Sequence, residues 1–179
     1  MVIESMLEPG TETAEIPFAD REAERHRMAV AMLERNAVLH GYRIRYLGNF
    51  FVEPVYKRIL EEHGVSSAEY VVIFSLMQAP GMTAQDISEF SGRPKNSISR
   101  AVHGLMRKKY LVRSVSEADR RRRLLQPTAK GHRLYGDTLP LFRSREQQML
   151  AVLSPAELRT LDRLLAKLVL REDGWAKPY

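Results

Sequence analysis

The sequence predicts a mostly α-helical chain with one small β-hairpin. Three observations predict it. Helix-start signals recur along the chain, as Ser66-Ser67-Ala68-Glu69, Thr83 and Ser154-Pro155-Ala156-Glu157. Apolar residues return at intervals of three, four or seven over most of the length. After Tyr110 that period changes to an extended one for about fifteen residues before helical spacing resumes.

Residues 1–18 carry Glu4, Glu8, Glu12 and Glu15 with Pro9, Gly10 and Pro17, and read as a flexible acidic arm. Residues 19–63 read as two helices. Ala23, Val30, Leu33, Ala37 and His40 line one face of the first, from Asp20 to His40. The second, Tyr42 to His63, is rich in aromatics, and Pro54 is expected to kink or restart it because proline lacks an amide donor. Gly64 ends it.

The capping box at Ser66 opens a helix that runs to about Gln78, where Pro80-Gly81 breaks the chain. Thr83 caps a short helix, Ser91-Gly92-Arg93 turns, and Pro94 at the first helical position opens another to about Lys109. In this last helix Ile98, Ala101, Val102, Leu105 and Met106 form an inward stripe. The opposite face shows Lys95, Asn96, Ser99, Arg100, His103 and Arg107, with Ser97 in the first turn.

Residues 111–116 and 122–126 then alternate as paired strands around a polar tip, and Pro127 ends the ribbon. Thr128 caps a long helix to about Leu150, with Pro140 as an expected kink, and the Ser154 box opens the last helix, which carries Leu158, Leu161, Leu164, Leu165, Leu168 and Val169. Helix, helix, turn, helix, hairpin is the order of a winged helix-turn-helix. Its expected boundaries are residues 64–127, with 128–179 as C-terminal helices.

Charge places the partner. The formal net charge of +6 combines +11 over Arg93–Arg133 with −5 over everything else. A folded surface of one sign repels itself unless a polyanion offsets it. The first turn of the 94–109 helix offers Lys95, Asn96 and Ser97 to a major groove, where Asn pairs with adenine and Lys or Arg with guanine. Arg120, Arg121, Arg122 and Arg123 at the hairpin tip make a cationic finger for the neighbouring minor groove or its phosphates. Asp119 stands two residues from Arg121, within reach of a local charge-assisted hydrogen bond.

The absence of Cys excludes disulfides, thiolate metal sites and thiol redox sensing. The five His lack metal-ligand spacing, and no nucleophile elbow, phosphate loop or acid/base set is visible, so no metal, cofactor or catalysis is expected. No apolar run approaches membrane-spanning length and no signal peptide is apparent, so a cytoplasmic protein is expected.

The stretch Gly64–Gly131 resembles the MarR family of bacterial transcriptional regulators. The resemblance rests on the wing pattern Asp119-Arg120-Arg121, Leu125, Thr128-Ala-Lys-Gly131. It rests also on Asn96-Ser97-Ile98-Ser99-Arg100-Ala101-Val102 with Leu105. Pro127 departs from the Leu usual before that Thr, and is expected to shorten the returning strand. The resemblance implies a homodimer whose N- and C-terminal helices interlock, making residues 19–63 and 128–179 dimerisation helices. It further implies that two winged domains read a pseudo-palindromic double-stranded DNA operator, with Arg121 entering the minor groove and Asp119 orienting it. Release by a small aromatic or phenolic effector bound between dimer helices and winged domain is also implied. Tyr42, Tyr46, Phe50, Tyr70 and Phe74 are the candidate pocket residues, although an aromatic stripe at this spacing is more often core. The alternative is a dimeric interaction or RNA-binding module that uses the wing without effector control.

Overall fold

The computed structural model describes residues 18–34, 37–115 and 122–170. Among them the order is α1 (Phe18–Glu34), α2 (Leu39–His63), α3 (Ser67–Gln78), α4 (Ala84–Ser91), α5 (Lys95–Arg107), β1 (Leu111–Val115), β2 (Arg123–Pro127), α6 (Ala129–Leu150) and α7 (Pro155–Val169). The chain divides into two units. The first reaches to Leu47 and holds α1 and the opening turns of α2; the second starts at Gly48. The arm expected at residues 1–18 lies outside the described residues up to Phe18. No described helix is long and apolar enough to cross a membrane.

In the first unit the break between helices falls earlier than expected. Ala37 lies in a turn and His40 already belongs to α2, whose first bond runs from the Tyr42 amide to the Val38 carbonyl at 3.0 Å. Apolar spacing could not locate this break because it carries on across it. Gly41 is simply tolerated inside the helix.

Pro54 does not restart α2, which runs on to His63. Proline at position 54 deprives the Phe50 carbonyl of its intrahelical donor. The Arg145 guanidinium of α6 donates to that carbonyl instead, so the lost bond is replaced from a neighbouring helix.

The core of the second unit surrounds α3. Tyr70, Val72, Ile73 and Leu76 are fully buried there, and α4, α5, α6 and β2 all pack on that helix. A helix covered on several sides has to be apolar nearly all round, as Tyr70–Phe74 are. Ile59, Val65, Ile87, Ile98, Val102, Leu105, Leu111 and Leu125 join it in the core, with Val55, Ala101, Tyr110 and Leu134.

The expected caps form. Ser66 and Glu69, Thr83 and Asp86, and Ser154 and Glu157 each bond reciprocally across the first turn of α3, α4 and α7. Thr128 accepts from the Gly131 amide to cap α6. Gly131 has a second reason to be glycine, since a Cβ there would lie 2.6 Å from the Tyr110 carbonyl oxygen.

Pro94 is the N-cap of α5, one residue outside the expected first helical position, because its ψ of 138° is extended. The helix ends at Arg107 rather than Lys109, which takes a left-handed φ of 63°. Pro127 does not shorten the hairpin. It is the last residue of β2 and pairs with Leu111, and the next amide, Thr128, donates to the Tyr110 carbonyl at 2.9 Å. The proline therefore sits where no ladder donor is missing.

Candidate nucleic-acid interface

Helix α5 presents two faces. Ile98, Ala101, Val102 and Leu105 are buried, with Met106 packed against them. On the other side Lys95, Asn96, Arg100 and His103 are exposed, while Ser97 and Ser99 are half-buried. The turn before it is tied down at both ends. Gly92 takes the left-handed conformation that closes α4, and the Ser88 hydroxyl donates to the Arg93 carbonyl at 2.7 Å.

The far end of α5 is held by an ion pair that the sequence did not suggest. The Lys108 ammonium lies 2.8 Å from both oxygens of Glu69, a residue only 6% exposed, and donates to the Gly64 carbonyl at 2.7 Å. Glu69 also accepts from the Ser66 amide, so one carboxylate caps α3 and anchors α5. Gly104 makes room for it, because a methyl group there would overlap the carboxylate. The seat of the exposed face is thus charge-paired and sterically tight.

Beside α5 stands the hairpin. Asp119, Arg120 and Arg121 lie outside the described residues. Arg122 and Arg123 are exposed at the start of the returning strand. Arg122 Nη2 donates to Asp86 Oδ2 of α4 at 3.2 Å. The Thr83 amide first, then the Thr83 hydroxyl and Arg122, hold the Asp86 carboxyl below its ordinary range, so it stays ionised. Arg113 of β1 meets the ring of His103 at 3.4 Å, which joins the hairpin to the exposed face of α5.

The aromatic residues divide. Tyr70 and Phe74 line a cavity of about 480 Å3 with Phe51 and Tyr56 of α2 and Phe142 and Arg143 of α6. Tyr70 and Phe142 stack with ring centres 5.3 Å apart. The Tyr70 hydroxyl is buried against Thr138 at 2.7 Å, and burial pushes its pKa up to about 12. Phe50 is exposed and is not among the lining residues. Tyr42 and Tyr46 belong to the first unit, where the Tyr42 hydroxyl lies 4.0 Å from the Met32 sulfur. Phe51, Tyr56 and Phe142, which were not among the candidate pocket residues, line the cavity as well. Phe51 and Tyr56 had one early signal, their place in the aromatic-rich stretch from Tyr42 to His63, and Phe142 had none. Among the described residues no group of three His, Asp or Glu gathers as a metal site would require.

A short helix, a tight turn and a second helix with an exposed polar face, followed by a basic hairpin, define a winged helix-turn-helix with a DNA-binding fold. A model described as MarR family matches residues 63–122. Over that segment the chain is similar to the MarR family of transcriptional regulators. It is 29% identical over 111 residues to the HTH-type transcriptional regulator MhqR of Bacillus subtilis (strain 168), spanning 62% of this chain and 77% of MhqR. Among solved structures it is similar to a MarR/EmrR family transcriptional regulator from Acinetobacter sp. ADP1, with 27% identity and a TM-score of 0.63. That match covers 84% of this chain and 96% of the other. The fold also matches Bordetella bronchiseptica BpsR, whose DNA binding is regulated by 6-hydroxynicotinic acid. There the identity is 23% and the TM-score 0.60, over 72% of this chain and 96% of that one. The family and these relatives are regulators, not enzymes.

Proposed function

We propose that this regulator is a homodimeric cytoplasmic repressor of a pseudo-palindromic double-stranded DNA operator. The observation that carries the reading is the continuity of exposed polar α5 with the basic hairpin through His103 and Arg113. Lys95, Asn96, Ser97, Ser99, Arg100 and His103 read or grip the major groove, and two copies of α5 lie about one DNA turn, roughly 34 Å, apart. Arg120, Arg121 and Arg123 supply the wing's charge to DNA, with Arg121 in the minor groove oriented by Asp119. A small aromatic or phenolic effector releases the DNA by binding better to a dimer whose α5 helices are wrongly spaced. The aromatic cavity between α2, α3 and α6 supports that part of the reading, as does the regulation of BpsR by an aromatic acid.

The test is duplex binding followed by fluorescence anisotropy across a salt series. Affinity should fall steeply with salt, with a log–log slope of about −0.9 per phosphate neutralised. Arg121→Ala should weaken operator binding. Asn96→Ala should cost discrimination, by about 1–3 kcal/mol at one base pair, more than it lowers non-specific affinity. A flat salt response, or preference for single-stranded or RNA competitors, would favour the interaction or RNA-binding module instead.

A further inference from the structure

The wing's charge is not all free. Between the hairpin and the start of α4 lies a cleft of about 520 Å3 whose lining includes Arg113, Arg122, Arg123 and Asp86. Asp86 is the one carboxylate among the described lining residues. Its Oδ2 takes the Thr83 amide at 2.8 Å and Arg122 at 3.2 Å. The pair is open to water, with the Arg122 side chain 54% and that of Asp86 36% exposed. The cleft adjoins the proposed DNA face, because Arg113 lines it and also touches His103 on α5. Arg122 therefore has a carboxylate where a phosphate oxygen would otherwise sit.

We propose that Asp86 is an internal counter-ion that withholds Arg122 from DNA phosphate, so that the regulator grips DNA with one charge fewer than its wing carries. The chemistry favours this occupant. A carboxylate already fixed by its own cap offers Arg122 an acceptor without the ordering that a mobile backbone phosphate requires. The consequence is a limit on sequence-independent affinity, since that binding is almost wholly phosphate neutralisation. The operator complex loses the same phosphate contact, so Asp86 lowers both affinities together and leaves sequence discrimination to α5. The inference rests on the DNA-binding reading above.

The experiment measures anisotropy of a labelled mixed-sequence duplex against salt, for the full-length wild type, Asp86→Asn, Arg122→Gln and the double variant. Asn keeps an acceptor for the Thr83 amide. Asp86→Asn should bind this duplex about eightfold more tightly near 0.1 M salt and steepen the slope by about 0.9, one further phosphate. Arg122→Gln alone should leave the slope unchanged, and in the double variant it should cancel the gain. Arg122→Gln leaves the α4 cap intact and decides the matter by itself if Asp86→Asn does not fold. A wild-type slope that Arg122→Gln flattens by about 0.9 shows Arg122 already on phosphate and overturns the proposal. So does a folded Asp86→Asn with unchanged or weaker binding. A wild type that binds no duplex removes the DNA-binding reading and this inference with it.

Discussion

The segment from α3 to β2 and the helix α7 draw on the same apolar side chains and finish differently. In the first, Ile73, Ile87, Ile98, Leu105, Leu111 and Leu125 are fully buried within one chain. In α7 no residue is buried, and Leu164, Leu165, Leu168 and Val169 are between 42% and 64% exposed. Yet α7 is well made locally, with a reciprocal cap, proline in its first turn and a strongly one-sided apolar pattern. A helix with a good start signal and an uncovered apolar stripe is locally complete and globally unfinished. The winged segment can close its core within one chain, whereas α7 calls for a second surface.

The largest effect should come from breaking the unfinished side. If a second copy covers α7, Leu165→Asp puts a carboxylate into an apolar interface, at a cost on the order of 3 kcal/mol or more. Dimer affinity should then fall more than a hundredfold. Light scattering at micromolar concentration should show a dimer for wild type and a monomer for the variant. Equal masses for both would sever α7 from the interface. The winged segment of the variant should keep its fold, because its core does not include that helix.

On the finished side, Gly104→Ala tests how little slack remains. The added methyl overlaps the Glu69 carboxylate, which cannot retreat without loosening its bonds to Lys108 and the Ser66 amide. Overpacking of this kind costs about 2 kcal/mol, or roughly 4–8 °C in melting temperature. Adding Glu69→Ala should make the two changes non-additive, because the second removes the obstacle created by the first. A simple sum of the two losses would mean that the contact is not what limits Gly104.

Tyr70 joins the winged core to α6 through Thr138, and it gives the finished side an alkaline limit. Its pKa is raised by burial to about 12, above the value of 10.0 expected for an unfolded chain. A group raised in this way gives full stability below pH 10 and loses it as pH climbs toward 12. Tyr70→Phe should cost about 1 kcal/mol at neutral pH for the lost hydrogen bond. Above pH 10 it should lose stability less steeply than wild type, as read by denaturant midpoints. Parallel pH profiles would place the alkaline sensitivity elsewhere.

What was legible in advance follows the range of each interaction. Caps at Ser66, Thr83, Thr128 and Ser154, and the inward stripe Ile98–Leu105, are written in neighbouring residues and appear as read. Helix ends were misplaced by a residue or a few, whereas the larger misreadings involve a partner far along the chain. Pro54 looked like a break because the guanidinium that repairs it belongs to Arg145. Glu69 looked like a cap alone, with Lys108 thirty-nine positions away. Arg122 or Arg123 was expected to face solvent, although Arg122 pairs with Asp86 thirty-six positions away. Side-chain pairing across the fold has no period, so no spacing rule announces it. The same holds for the aromatic cavity, whose Phe142 comes from α6.

The smallest expected effect sharpens the comparison, because it exposes a strained joint among the described residues of the finished half. At the end of α5 the Tyr110 amide donates to the Leu105 carbonyl at 2.9 Å and the Lys109 amide to Met106 at 3.0 Å. This bond pair is a Schellman closure, which wants a left-handed residue at position 109 and usually has glycine there. Lys109 instead holds φ at 63° with a Cβ in place. The closure sets where Tyr110 and β1 begin, so the wing inherits its direction from this residue. Lys109→Gly should relieve the strain and raise stability by about 1 kcal/mol, roughly 2–4 °C in melting temperature. Lys109→Ala removes the same charge but keeps the Cβ, so it should gain nothing. If alanine gains as much as glycine, the benefit comes from reduced charge repulsion in the Arg107–Lys109 run and not from the backbone.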